Sequence, residues 1–345
     1  GVRRLTQDGH HCLVERNAGL GAGFSDNDYL AAGAQIIYAG EEIYGRGDMI
    51  LKIARPTLEE ISWMIPRQTL LGFLHLHSAQ PNKIQLMLEK HITAISYEQI
   101  EYQDGTRPVL KPLSQIGGQM AAQMAAQILQ NNSGGNGVLL GGVPGVPPAE
   151  VVIIGVGVVG ESAARAFLGM GAHVTLLDSD PDRLQAVAVS LPRHVISLAS
   201  NPLNIERTCS LADVVVGAVH MDHERAPVII TKEMIEKMRT GSVFLDLSVD
   251  EGGCAETSRP TTHDNPTYTV DGVIHCCIPN LSGVVARTAT LAFQNAAWHF
   301  IEQISRHGVR DVMSIDPALA SGVSMDRGKL QNPEQYLDIP TRGLR

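Results

Sequence analysis

The hydrophobic pattern changes period twice within residues 151–178, which predicts a strand, a helix and a second strand in succession. Residues 151–154 form an unbroken β-branched run, as expected of a strand buried in a parallel sheet. The spacing then turns helical through Ala163, Ala164, Phe167 and Leu168. A second apolar run over 173–177 ends in Asp178, and further runs near His194, Val214 and Val243 continue the alternation. Upstream, residues 12–15, 35–38, 49–53, 69–75 and 94–96 predict strands, with polar helical stretches such as 26–32 and 57–64 between them. Residues 1–9 read as a short helix closed by a glycine. An α/β domain more commonly opens on a strand, so an initial strand is expected to be missing. Residues 114–130 are a strong helix former followed by NNSGGNG, which suits a connection between domains. Past Arg287 the pattern predicts helices at 288–306 and 316–322 and then a polar tail. The expected fold class is two-domain α/β. One domain is a Rossmann-type doubly wound parallel sheet, and the second is an α/β domain completed by C-terminal helices.

Gly155, Gly157 and Gly160 stand between the first strand and the helix with G-x-G-x-x-G spacing. The first glycine permits a tight turn, the second lets the backbone approach a pyrophosphate, and the third lets helix and strand pack closely. Val158 and Val159 open the helix, whose N-terminus offers unpaired N–H groups and the positive end of its dipole to phosphates. Asp178 follows Gly160 by eighteen residues. A carboxylate there accepts hydrogen bonds from a ribose diol and repels a 2′-phosphate, so the expected cofactor is NAD rather than NADP. The glycines alone would fit a turn without a ligand. Strand, glycines, helix, strand and acid together point to a dinucleotide.

Composition narrows the class further. A chain of 345 residues has room for two domains, and a net charge of −9 weighs against nucleic acid or an anionic membrane surface as partner. Glu150 and Glu161 bracket the longest apolar run, which falls short of the ~18 residues that a membrane span needs. The five cysteines, Cys12, Cys209, Cys254, Cys276 and Cys277, are odd in number and lack C-x-x-C spacing, as expected of reduced thiols in a cytoplasmic protein. His220 and His223 have H-x-x-H spacing, but two ligands fall short of a site and no metal is expected.

Five ordered stretches resemble the alanine dehydrogenases: GFLHLHSAQ (72–80), AISYE (94–98), PLSQIGGQMAAQ (112–123), GVLLGGVPGVPPAEVVIIGVGVVG (137–160) and DLSVDEGGCAETSRPTTHDNPTY (246–268). That family shares its fold with domain I of proton-translocating transhydrogenase. The resemblance implies a substrate domain from residues 1–112 and 287–345 and an NAD-binding domain from 113–286. It also implies an active site in the cleft that both face, and assembly into homo-hexamers. The implied reaction is the reversible conversion of L-alanine, water and NAD to pyruvate, ammonium and NADH. Such chemistry needs a cation for the substrate carboxylate, a general acid–base and a pinned nicotinamide.

By the same resemblance His75 is the catalytic histidine, expected at the end of an apolar strand with an imidazole near its ordinary pKa. His77 is expected on the same side of that strand, as packing or rim. Asp250 corresponds to the aspartate that approaches the nicotinamide ribose and the reacting centre; the plainer alternative is a turn residue before Gly252 and Gly253. Ser114 corresponds to a serine that touches the cofactor phosphates, while Val219 and Asn280 lie in loops that line the nicotinamide.

The resemblance breaks at the substrate. The family strand reads K-V-K-E-P, and this chain has Lys52-Ile53-Ala54-Arg55-Pro56, so Ala54 stands where a lysine contacts substrate. A lost ammonium removes a charge-assisted hydrogen bond worth ~1.5–3 kcal/mol. The family's substrate arginine is expected ahead of Gly1. Lys52 is a possible substitute as substrate ligand, because positions 52 and 54 share a face of a strand; Arg55 faces away unless the strand ends there. Gln115 and Gln119 stand where many relatives have Glu and Arg, and Asn280-Leu281-Ser282-Gly283 replaces N-M-P-G. The main expectation is an NAD-dependent dehydrogenase acting on L-alanine. The alternatives are an NAD-binding pseudoenzyme, a dehydrogenase of altered substrate, or a transhydrogenase subunit.

Overall fold

A computed structural model describes residues 1–192, 195–220 and 226–331. The chain divides into two compact units, Gly1–Pro112 with Val285–Arg345, and Leu113–Val284. In chain order the first unit supplies strands β1 (Leu13–Glu15), β2 (Gln35–Ile37), β3 (Met49–Leu51), β4 (Thr69–Gly72) and β5 (Thr93–Ser96). The second unit supplies β6 (Glu150–Ile154), β7 (His173–Asp178), β8 (Ile196–Ala199), β9 (Val214–Gly217), β10 (Val243–Asp246), β11 (Tyr268–Val270) and β12 (Val273–Cys276). The chain then returns to the first unit with β13 (Val323–Asp326) and β14 (Lys329–Leu330).

In the first unit β3, β4 and β5 run parallel, with Leu51 opposite Leu71 and Leu71 opposite Ile95. Residues of β4 and β5 are nearly all buried, and Leu70, Ala94, Ile84 and Met87 join the core. This explains why both strands read as continuous apolar runs rather than alternating ones. Thr57 and Glu60 form a capping box that starts the Leu58–Trp63 helix. The 69–75 expectation is too long, because the strand ends at Gly72 and His75 has left-handed φ of 42°. The 49–53 strand likewise ends at Leu51.

The C-terminal segment holds more than the expected pair of helices. Ala286–His307 and Pro317–Gly322 lie near their predicted places, but Val309–Ile315 is a further helix. After them β13 pairs antiparallel with β5, setting Val323 opposite Ile95, and the buried hydroxyls of Ser96 and Ser324 hydrogen-bond at 2.6 Å. The strand order is β14-β13-β5-β4-β3, with β1 and β2 a separate parallel pair.

In the second unit the strand order is β11-β12-β10-β9-β6-β7-β8, all parallel except the β11 edge. Read from β8 to β12, this is the doubly wound order whose direction of winding reverses between β6 and β9. Val152, Ile154, Leu177, Val215 and Phe244 are buried together in its core. The Lys111–Ile128 helix starts earlier than the expected 114–130. A Cβ at Gly118 would collide with the carbonyl of Val159, so this helix lies directly on the first turns of the Val158–Gly169 helix. His194 lies outside the described residues; the strand expected near it is Ile196–Ala199.

Candidate functional site

The reversal between β6 and β9 puts the loops after β6, β9, β10 and β12 at one edge of the sheet, where doubly wound folds bind ligands. Gly155 turns out of β6 at φ 92°, and a Cβ there would strike the carbonyl of Ala218. A Cβ on Gly160 would strike the carbonyl of Gly155, so the helix can come this close only with glycine there. Gly157 is different: nothing lies within 4 Å of its Cβ direction, which is open space. No side chain caps the Val158–Gly169 helix that begins there. A turn open only to glycine, an uncapped helix end and an opening above Gly157 fit a pyrophosphate. Ser114 is half-buried one turn before Gly118, on the helix that packs against this N-terminus.

Asp178 is buried, 7% exposed, at the end of β7. It accepts the N–H of Val156 at 2.8 Å through Oδ2 and that of Asp180 at 2.9 Å through Oδ1. The acid therefore braces the glycine loop, and the remaining lone pairs of its oxygens suit ribose hydroxyls.

The other loops carry the remaining expected residues of this unit. The Val219 carbonyl accepts the Ser248 hydroxyl at 2.7 Å. Asp250 is exposed in a 3-10 turn, Val249–Glu251, and its Oδ2 accepts the N–H of Asn280 at 3.1 Å. Asn280 is left-handed at φ 52°, and its Oδ1 accepts the Ser282 hydroxyl at 3.0 Å. Asp250 is thus both a turn residue and a link to Asn280. Asp246 was missed from the sequence. It is fully buried and accepts the N–H groups of Ser248 and Cys254, each at 2.9 Å, and the Ser258 hydroxyl, so it shapes the loop that carries Asp250. His220 pairs with Glu251 at 2.8 Å, and His223 lies outside the described residues. Among the described residues no cluster of three His, Cys, Asp or Glu could hold a metal.

In the first unit His75 precedes a 3-10 turn, Leu76–Ser78. Its backbone N–H donates to Glu98 Oε1 at 2.6 Å. Glu98 is buried, and its other oxygen has no hydrogen-bond partner among the described residues. Burial pushes this carboxyl up to about 7, against the backbone N–H groups that favour its charge. Sequence reading passed over Glu98 although it closes the AISYE stretch; a charged residue ending an apolar run was the available signal. The His75 ring meets Phe73 at 6.5 Å and His77 at 6.0 Å between centroids. Burial, then the charges of Arg55 and His77, lowers the imidazole to about 3. The expectation of an ordinary pKa is therefore corrected: His75 is neutral in the free protein. His77 follows His75 around a turn rather than along a strand face.

Lys52 is committed elsewhere. Its Nζ lies 2.7 Å from Glu60 Oε1, and both side chains are half-buried. Ala54 is exposed, and Arg55 is half-buried.

Two domain profiles match the chain: "Alanine dehydrogenase/PNT, N-terminal domain" over residues 1–117 and "Alanine dehydrogenase/PNT, C-terminal domain" over 121–333. An alanine dehydrogenase of Methanococcus maripaludis is 41% identical over 331 residues, covering 96% of this chain and 88% of that protein. One of Mycolicibacterium smegmatis is 39% identical over 342 residues, covering 99% and 92%. A solved L-alanine dehydrogenase superimposes with a TM-score of 0.91 at 38% identity, covering 98% of this chain and 94% of that one.

Proposed function

The chain belongs to the alanine dehydrogenase/PNT family, and from that premise we propose that it is an NAD-dependent alanine dehydrogenase. In this reading residues 113–286 hold NAD, and residues 1–112 with 287–345 bind the amino acid or 2-oxo acid. The reading rests above all on the glycine loop, where Gly155 and Gly160 leave no room for a side chain and Gly157 faces open space.

NAD, when bound, supplies the carbon that accepts a hydride from the substrate Cα. Gly157 lets the pyrophosphate approach, and the N–H groups of Val158, Val159 and Gly160 with the Ser114 hydroxyl bind its oxygens. Asp178 accepts from the ribose diol. Val219, Asp250 and Asn280 hold the nicotinamide end, and Asp250 also approaches the reacting centre.

His75 moves the protons. L-alanine loses a hydride from Cα and a proton from nitrogen to give the imine. Water adds to give the carbinolamine, which collapses to pyruvate and ammonium. A neutral imidazole can accept the first proton and release it to solvent as the net proton of the reaction, then take a proton from the added water and return it to the departing amine. A histidine held neutral by burial starts that sequence in the form it needs. The protein is read as a cytoplasmic homo-hexamer, and no described helix is long and apolar enough to cross a membrane.

Ala54 and the commitment of Lys52 to Glu60 favour one alternative, an NAD-binding protein without alanine turnover. NADH fluorescence followed by NADH oxidation with pyruvate and ammonium separates the two. Binding with turnover supports the dehydrogenase, and binding without turnover supports the alternative. Absence of binding removes both.

A further inference from the structure

A deaminating site needs a cation for the α-carboxylate of its substrate, and the stretch 52–56 offers two. Lys52 neutralises Glu60. Arg55 remains, and the backbone fixes where it stands. Although β3 ends at Leu51, its chain stays beside the one leading to His75. The Lys52 N–H donates to the Leu71 carbonyl at 2.9 Å, and the Phe73 N–H donates to the Ile53 carbonyl at 3.3 Å. Continuing the register of Leu51 opposite Leu71 would bring the Phe73 N–H to the Lys52 carbonyl, so its bond to Ile53 marks a one-residue slip, and past it Arg55 falls level with Leu74, next to His75. One residue later the Pro56 carbonyl accepts Lys83 Nζ at 2.9 Å, which ties the segment to the Pro81–Glu89 helix. Arg55 is thus held between two anchors, and Pro56 confines it to extended backbone.

Strict alternation would turn Arg55 away from the face of residue 54, but alternation ends with the strand at Leu51. The guanidinium is near enough to His75 and Glu98 for its charge to lower the pKa of both. It is half-buried, and among the described residues it makes no hydrogen bond or ion pair. A partly desolvated guanidinium that feels the Glu98 charge but has no anion in hydrogen-bond contact among the described residues, beside a neutral imidazole, is arranged to receive one.

We propose that Arg55 binds the α-carboxylate of the 2-amino or 2-oxo acid substrate, one position along the chain from the lysine that Ala54 replaces. This rests on the alanine dehydrogenase reading for the identity of the substrate. The guanidinium fork grips both carboxylate oxygens, which a lysine cannot do. A carboxylate on Arg55 also offsets one of the charges that hold His75 neutral, so substrate binding makes the imidazole more basic.

The test compares the parent chain with Arg55→Ala and Arg55→Lys. Pyruvate binding to the NADH complex is followed by fluorescence and calorimetry, and His75 is titrated by NMR in the histidine-labelled full chain. Arg55→Ala is expected to weaken pyruvate binding by about 10- to 100-fold without changing NADH affinity. It is also expected to raise the pKa of His75, and added guanidinium should restore part of the pyruvate affinity. Arg55→Lys should fall between and keeps the test open if the alanine variant does not fold. Unchanged pyruvate binding and an unmoved His75 overturn the proposal, as does the same loss appearing in Lys52→Ala instead. A parent complex that binds pyruvate through Arg55 but does not turn it over with ammonium supports the Arg55 assignment and overturns the alanine dehydrogenase reading. A parent NADH complex that binds no pyruvate overturns both.

Discussion

Glu98→Gln tests the arrangement beneath His75. The carboxyl holds the His75 N–H at 2.6 Å, and its second oxygen is buried without a partner among the described residues. Its pKa rises from 4.5 to about 7, chiefly because burial penalises the charge. A raised acid pKa means that the folded state binds the proton more tightly than the unfolded state. The contribution of Glu98 to stability is therefore complete below about pH 4.5 and is lost as pH rises through about 7. At about 1.36 kcal/mol per unit, the loss between pH 4.5 and about pH 8 is about 3 kcal/mol. A glutamine keeps an oxygen for the His75 N–H but cannot ionise. His75 works in the opposite sense: its pKa falls from 6.5 to about 3, so its contribution is present above 6.5 and lost as pH drops toward 3. That contribution is common to both proteins and cancels in their difference. Urea unfolding of the parent and Glu98→Gln across this range should show the variant gaining about 3 kcal/mol relative to the parent as pH rises. Parallel curves would refute a buried carboxyl that ionises at a cost.

Other substitutions separate binding from chemistry. His75→Gln should lower kcat by about 10²- to 10⁴-fold while NADH affinity holds, measured by steady-state kinetics and fluorescence titration. Gly157→Ala should fold normally and yet weaken NADH binding at least about tenfold, because its Cβ enters the space read here as the pyrophosphate site. Gly160→Ala should instead lower the melting temperature or prevent folding, since its Cβ meets the Gly155 carbonyl whether or not a nucleotide is present. Asp178→Ser should weaken NADH by about tenfold and raise the NADPH-to-NADH affinity ratio, both read by fluorescence.

The nucleotide half was legible because its signals are local. Strand, turn, helix and strand follow one another within 151–178, and backbone collisions at Gly155 and Gly160 demand glycine at those points. What was missed depends on contacts between distant residues. β13 has four residues and is recruited by β5, with Ser324 reaching Ser96 across 228 residues. His75 leaves its predicted strand for a left-handed turn that a carboxylate 23 residues away accepts, and periodicity carries no trace of that bond. The same premature strand ending changes which cation stands beside His75, since the choice of Lys52 assumed alternation through residue 54. The lowered pKa of His75 follows first from burial and then from Arg55, neither visible in its neighbours along the chain; only the last contribution, from His77, lies close in sequence. Asp246 sits in a recognised stretch, but its role became apparent only when Ser248, Cys254 and Ser258 were seen around its carboxylate.

Hydride transfer from the substrate Cα is the central claim, and deuterium follows it directly. L-alanine carrying deuterium at Cα is incubated with NAD and the full chain, and the NADH formed is weighed by mass spectrometry. The claim requires NADH one mass unit heavier, with the deuterium at nicotinamide C4 and pyruvate formed in equal amount. NADH without deuterium, or no NADH from a chain that binds the cofactor, contradicts it.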